Sequence, residues 1–304
     1  MNLLLHSPSN IVNPLARQRF MGFGTGSSGG PSFVGPLDTL VAQGATLLYA
    51  GSVRRLLSSY SGSLLRLRGN GTGSPEADIS PLANGDLDLT AAAAIATNAG
   101  GNAAFFRTWY DQTGRLDAGQ ATAASQMQFS TALQAKGAAG AGAPATNVFL
   151  NLNLGTLPTP CYFLFAATVG LDGGLSATLF GVGSSTTNRR CQVQTGLTPI
   201  QNWGTSLGTL ATVPLGPCQL GFLNNGAGTS HNLINGSVEA TGSTGGTQLD
   251  CSGGRIGSTS STSSSWLAWQ NNSLSEVLVF SSDPTGLAGW SSFLSNQRAY
   301  FGAP

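Results

Sequence analysis

The sequence predicts a mostly β fold: two antiparallel sheets packed as a sandwich, with a few short helices and an extended N-terminal arm. Three observations predict it. Beyond residue 146, short apolar runs recur at 147–154, 161–169, 175–182, 191–195, 218–223, 231–240 and 273–280, with Gly, Ser and Pro between them. That is the rhythm of strands in a sandwich. Asn235-Gly236 interrupts one run with the dipeptide that favours a two-residue hairpin. Finally, 43 glycines, 40% apolar residues and only 8% charged residues in 304 positions suit many turns and much buried strand, since a typical domain is about 25% charged.

Taken in order, residues 1–36 are rich in Ser, Gly, Pro and Asn and show neither helical nor strand periodicity. They read as an arm, with Ile11, Phe20, Phe23 and Phe33 as candidate assembly contacts. Residues 37–304 form the remaining domain. Val53, Leu56, Leu57 and Tyr60 fall at i, i+3, i+4 and i+7, which predicts a short helix capped by Ser52. Leu65 and Leu67 alternate with Arg66 and Arg68 as a strand. Thr90 is placed to cap an alanine-rich helical turn that Gly100-Gly101 stops. Phe105, Arg107 and Trp109 alternate with Phe106 and Thr108 and lead into a turn at 110–114. Residues 115–146 read mostly as loop, and the Ser/Thr run 258–265 as another. Asp283-Pro284 marks a helix start, and Leu287, Trp290, Phe293 and Leu294 give the stripe that packs it on an outer face.

Charge excludes one class of partner. The net charge is +1, and twelve arginines and one lysine, Lys136, form no basic face, so nucleic acid is not expected. No apolar run approaches the ~20 residues of a membrane span. Leu3-Leu4-Leu5 is too short for a signal-peptide core, so no signal peptide and no membrane insertion are expected. Cys161, Cys191, Cys218 and Cys251 show no C-x-x-C pair, which reads as core thiols rather than a metal site. No cofactor is expected. Asn84, Asp86 and Asp88 have the spacing that opens a calcium loop, but Leu89 and Ile95 stand where Gly and Glu belong. A turn with an Asp capping the following helix is the simpler reading. Asp111 reads as a turn residue folding back on nearby amides. Trp203, Trp266 and Trp269 are candidate carbohydrate contacts, because sugar rings stack on flat apolar faces; core or subunit packing is the alternative for Trp266 and Trp269.

One stretch carries a family resemblance. Ser52-Val53-Arg54-Arg55-Leu56-Leu57-Ser58-Ser59-Tyr60-Ser61-Gly62 is followed by Ala77-Asp78-Ile79-Ser80, Gly85-Asp86-Leu87-Asp88 and Thr108-Trp109-Tyr110-Asp111-Gln112-Thr113-Gly114. This order resembles the catalytic domain of arabinofuranosidase B-type glycoside hydrolases, and the version of that module in structural proteins of tailed bacteriophages. The closing Arg255-Ile256-Gly257 and Leu274–Phe280 region is similar to the end of a concanavalin A-like jelly roll. The resemblance implies a nucleophilic Glu after the 179–182 strand and an acid Asp after Ile256-Gly257. The chain has Gly183-Ser184-Ser185-Thr186-Thr187-Asn188 and Ser258-Thr259-Ser260 there, and a glycosidase needs two carboxyl groups. The expectation is therefore a non-catalytic virion structural protein, made without a signal peptide in the host cytoplasm. It would be a capsid decoration, head fibre or tail-associated protein, joined to other virion proteins through the arm and homo-oligomeric, with a trimer plausible. The alternative is an adhesin for host-surface glycan, and after it an arabinofuranosidase-type hydrolase.

Overall fold

The computed structural model describes residues 32–304, apart from 133, 135, 141–147, 171–176, 183–188, 195, 204–205, 209–210, 226–227, 245–248 and 259–271. Ile11, Phe20 and Phe23, and with them residues 1–31 of the expected arm, lie outside the described residues. The compact body begins at Phe33.

The early strands are β1 (Leu47–Ser52), β2 (Leu65–Gly69), β3 (Glu76–Ile79), β4 (Ala104–Trp109), β5 (Ala118–Gly119), β6 (Gln128–Ser130) and β7 (Ala138–Gly140). The middle of the chain gives β8 (Leu150–Asn151), β9 (Thr156–Leu157), β10 (Cys161–Val169), β11 (Ala177–Val182), β12 (Arg189–Gln194), β13 (Thr198–Asn202) and β14 (Ser206–Gly208). The remainder are β15 (Gly216–Asn224), β16 (Ser230–Ile234), β17 (Ser237–Gly242), β18 (Leu249–Asp250), β19 (Arg255–Ile256) and β20 (Ser273–Phe280). The α-helices among the described residues are α1 (Asp38–Ala42), α2 (Leu89–Thr97) and α3 (Trp290–Phe301).

All pairings are antiparallel. One run goes β17–β16–β15–β10–β20–β1. A second goes β3–β2–β4–β5–β8–β19–β11–β12–β13–β14. β6 and β7 join them, because β6 pairs with β4 and β7, and β7 pairs with β20. The outcome is one large antiparallel sheet, nearly barrel-shaped. The joining strands come from the 115–146 segment, whose short Gln-Phe-Ser and Ala-Ala-Gly strands are too brief to show a periodicity. Among the described residues β9 and β18 pair only with each other.

β20 occupies the centre. Its Val277 and Val279 enter the inner core with Phe163, Phe165 and Phe222. Its Leu278 and Phe280 face the other way, under Leu37, Leu40, Trp290, Phe293 and Leu294 from α1, α3 and the residue before α1. A strand covered on both faces has no polar side to show, so its second half, Val277-Leu278-Val279-Phe280, is apolar without alternation. α3 buries Trp290, Phe293, Leu294, Gln297 and Phe301 and ends at Gly302 with φ +74°. It begins later than Pro284: Asp283 accepts from the Thr285 amide at 2.9 Å, and turns at Leu287 and Trp290 precede the helix.

No helix forms at 52–60. Val53 packs in the inner core and Leu56 in the outer cluster, so the four apolar residues never share a face. The Gln112 side chain also holds this backbone extended, accepting from the Leu56 amide at 2.7 Å and donating to the Arg54 carbonyl at 2.7 Å. Asp88, not Thr90, caps α2, accepting from the Ala91 amide at 2.9 Å. Asn235 and Gly236 make the predicted hairpin turn between β16 and β17, with φ of 49° and 89°. Cys161, Cys191, Cys218 and Cys251 are buried free thiols.

His231 of β16 is 9% exposed, lies edge-on to Tyr162 at 5.6 Å, and its Nε2 has no hydrogen-bond partner. Burial holds it below its usual value, with only partial opposition from Asp283. The unfolded chain thus binds a proton the fold resists. This contribution is complete above about pH 6.5 and is lost as pH falls through that value. Thermal melts from about pH 7.5 to 5 are expected to show falling stability, and His231→Gln to remove part of the fall; an identical pH slope in the variant would refute the assignment.

Candidate functional site

A cavity of about 340 Å³ opens where the first strand, the 82–86 turn, the Lys136 loop and α3 meet. Phe33, Arg54, Arg55, Asn84, Asp86, Lys136 and Tyr300 are among its lining residues. Its volume sits at the low end for small-molecule sites, room for a single small ring. A neighbouring cavity of about 470 Å³ shares Val34, Pro36 and Asn296 with it and has no charged lining residue.

The floor is a buried ionic network. Ser52 ends β1 opposite Glu276 of β20. Glu276 Oε2 accepts from Arg54 Nε at 3.0 Å and from Ser52 Oγ at 2.8 Å, and its Oε1 accepts from Gln297 Nε2 at 2.7 Å. Arg54 Nη1 donates to Asn296 Oδ1 at 2.7 Å. The side chains of the ion pair are 4% and 0% exposed, and the guanidinium lies 4.4 Å from the Tyr300 ring centre. Gln297 is itself held by Gln219 of β15 at 2.5 Å.

The wall is built on a tight turn. Leu82 and Gly85 close it through backbone bonds, and Gly85 has φ +87°. A Cβ at Gly85 would stand 2.2 Å from the Phe33 ring, so glycine lets Phe33 lie flat against the turn. Arg55 covers the same ring at 3.9 Å. Asp86 accepts from Tyr300 Oη at 2.8 Å, Asn84 Nδ2 at 3.0 Å and Lys136 Nζ at 3.3 Å. The loop carrying Lys136 is pinned by Gln134 Nε2 donating to the Phe301 carbonyl at 2.9 Å and by Ser275 Oγ donating to the Gly137 carbonyl at 3.1 Å.

Partial burial pushes the Asp86 carboxyl up, but the Tyr300 hydrogen bond and the Lys136 charge outweigh it, leaving Asp86 below the usual carboxylate range. Burial first, then the bond to Asp86, pushes the Tyr300 phenol up. The site therefore offers an ionised acceptor beside a neutral phenol donor, an amide and an ammonium. Among the described residues no cluster of three or more His, Cys, Asp or Glu could hold a metal ion.

The residues expected at a site lie elsewhere. Trp203 is 2% exposed and stacks on Phe163 at 5.3 Å, so it is a core residue with no face for a sugar. Trp266 and Trp269 lie outside the described residues. Phe33, expected in the arm, belongs to the cavity wall. Asp111 is a turn residue: it accepts from the amides of Ala50, Thr113, Arg115 and Leu116. The cavity residues left two signals in the sequence, an acid inside the apolar run 273–280 and the single lysine.

Comparison with known proteins follows from the fold. No family model matches the sequence, and no curated protein matches it. Among solved structures, the chain is similar to a GH54 α-L-arabinofuranosidase soaked with a cyclic sulfate inhibitor, at TM-score 0.58 and 16% identity over 88% of this chain and 66% of that one. An arabinofuranosidase complexed with arabinofuranosyl-α-1,2-xylobiose gives TM-score 0.56 and 17% identity over 88% and 65%. The chain thus spans about two thirds of the length of these enzymes. The likeness covers 88% of this chain, so its fold is like that of these two arabinofuranosidases. This corrects two expectations, the virion structural protein and the absence of catalysis. Both rested on empty catalytic positions, and 183–188 and 259–260 lie outside the described residues.

Removing half of the buried pair leaves the other charge stranded. Glu276→Ala is expected to cost about 3–5 kcal/mol in denaturant unfolding. Arg54→Met with Glu276→Leu together is expected to cost less than either single change. Loss of under about 1 kcal/mol in Glu276→Ala would show the pair to be dispensable.

Proposed function

We propose that the body is a carbohydrate-binding domain on an arabinofuranosidase-like jelly roll, and that one sugar residue occupies the Asp86–Tyr300 cavity. The observation that carries this reading is the cavity's chemistry. An amide, an ammonium and a phenol converge on one carboxylate, Asp86, in the cavity lining. Sugar hydroxyls need such paired donors and acceptors. The arabinofuranosidase-like fold supports it independently. A glycan displayed on a cell surface is the ligand source this reading favours.

Glycoside hydrolysis is the second reading, favoured by the same likeness. Here Asp86, held ionised, would accept a proton from water or attack the sugar carbon; Tyr300, pushed up and bound to that same carboxylate, would hold it in place, and the proton for the leaving group would come from another acid.

Titration calorimetry against mono- and oligosaccharides is expected to detect binding. Asp86→Asn and Lys136→Met should each weaken it about tenfold or more, the worth of a charge-assisted hydrogen bond. A folded protein that binds no sugar would end the first reading. For the second, 4-nitrophenol release from 4-nitrophenyl α-L-arabinofuranoside should be measurable and lost in Asp86→Asn; release unchanged in that variant would move the reaction to another site.

A further inference from the structure

We infer that the sugar taken by this cavity carries a carboxylate, a uronic-acid type of residue rather than a neutral one. The inference rests on the sugar-binding reading and adds the ligand's charge.

Three cations line the cavity, Arg54, Arg55 and Lys136, against one lining carboxylate, Asp86. Arg54 is matched from behind by Glu276 at 3.0 Å, and Lys136 by Asp86 at 3.3 Å. Arg55 is left over: among the described residues it forms no ion pair, and its positive charge rests on the Phe33 ring. The count of charges around the cavity is therefore three positive and two negative, with the excess on the half-exposed Arg55.

Hydrogen bonding points the same way. Arg54 Nη2 and Arg55 Nε are buried and have no hydrogen-bond partner among the described residues. One guanidinium N–H on the floor and one on the wall thus lack acceptors among the described residues. Native interiors leave few such donors unpaired. A planar carboxylate is the acceptor that arginine forks match, two oxygens to two N–H groups. A hydroxyl ring would still need Asp86, Asn84 and Tyr300, so one acidic sugar uses both sets: its ring on the Asp86 side and its carboxylate on the arginine side. Arg54 is already tied on two nitrogens and is the poorer variable. Arg55, half-exposed, is the residue expected to read ligand charge.

The test is calorimetry of the full chain with methyl glucuronide and methyl galacturonide, their neutral counterparts methyl glucoside and methyl galactoside, and sodium acetate. A uronide is expected to bind at least tenfold tighter than its neutral counterpart. Arg55→Gln, checked for folding by its melting curve, should bring that ratio to about one, and Arg55→Lys should leave it intermediate. If Arg55→Gln does not fold, the wild-type ratio and Arg55→Lys still decide. Equal affinity for acidic and neutral sugars overturns the inference while leaving the sugar reading intact. No binding of either overturns both. Acetate binding as tightly as the uronides shows an anion pocket without sugar recognition, which also overturns both.

Discussion

The ion pair between Arg54 and Glu276 is the constraint from which the rest of this structure follows. Glu276 is a fully buried acid in the middle of the central strand, on the face that lies under α3. Such a charge is tolerable only when every lone pair has a partner. Three different elements supply them: Ser52 at the end of β1, Arg54 just beyond it, and Gln297 from α3. Satisfying one carboxylate therefore fixes the register of β1 on β20 and the rotation of α3 above both. An all-apolar substitute would pack there, but it would specify neither.

The cavity inherits its geometry from that network. Arg54 reaches up from the floor to the Tyr300 ring, and Tyr300 in turn holds Asp86. Asp86 sits on a turn that only glycine at 85 allows to press against Phe33. Each wall residue is thus anchored to a separate part of the chain, with sequence separations of 214 between Tyr300 and Asp86 and 50 between Lys136 and Asp86. A rigid, pre-positioned polar set of this kind suits recognition of a small polar ring.

Much of the fold was legible because local physics dictated it. The 273–280 run, the Asn235-Gly236 turn and the Leu65–Gly69 strand appear where their residues place them. The misread segments show which physics is not local. Val53 and Leu56 have a helix's spacing, yet they belong to two different cores, and Gln112 from 56 residues away sets their backbone. Trp203 looked like a sugar platform because no sequence pattern reveals that Phe163 will cover it. The cavity was illegible for the same reason. Asn84 and Asp86 invite comparison with a calcium loop, whereas their partners, Lys136 and Tyr300, are supplied by loops and helices far along the chain. The likeness in fold to two arabinofuranosidases, not any pair of catalytic residues, is what overturns the inert building block.

The placement of β20 has a consequence for biogenesis. It lies between β1 and β10, and its glutamate meets a serine 224 positions earlier. A growing polypeptide would emerge from the ribosome with two unpaired strand borders waiting for a partner not yet translated. Nascent chains in that state are open to pairing with one another. The scarcity of charge on this protein gives little repulsion to keep them apart, so its yield in a cell would depend on how quickly the late strand arrives.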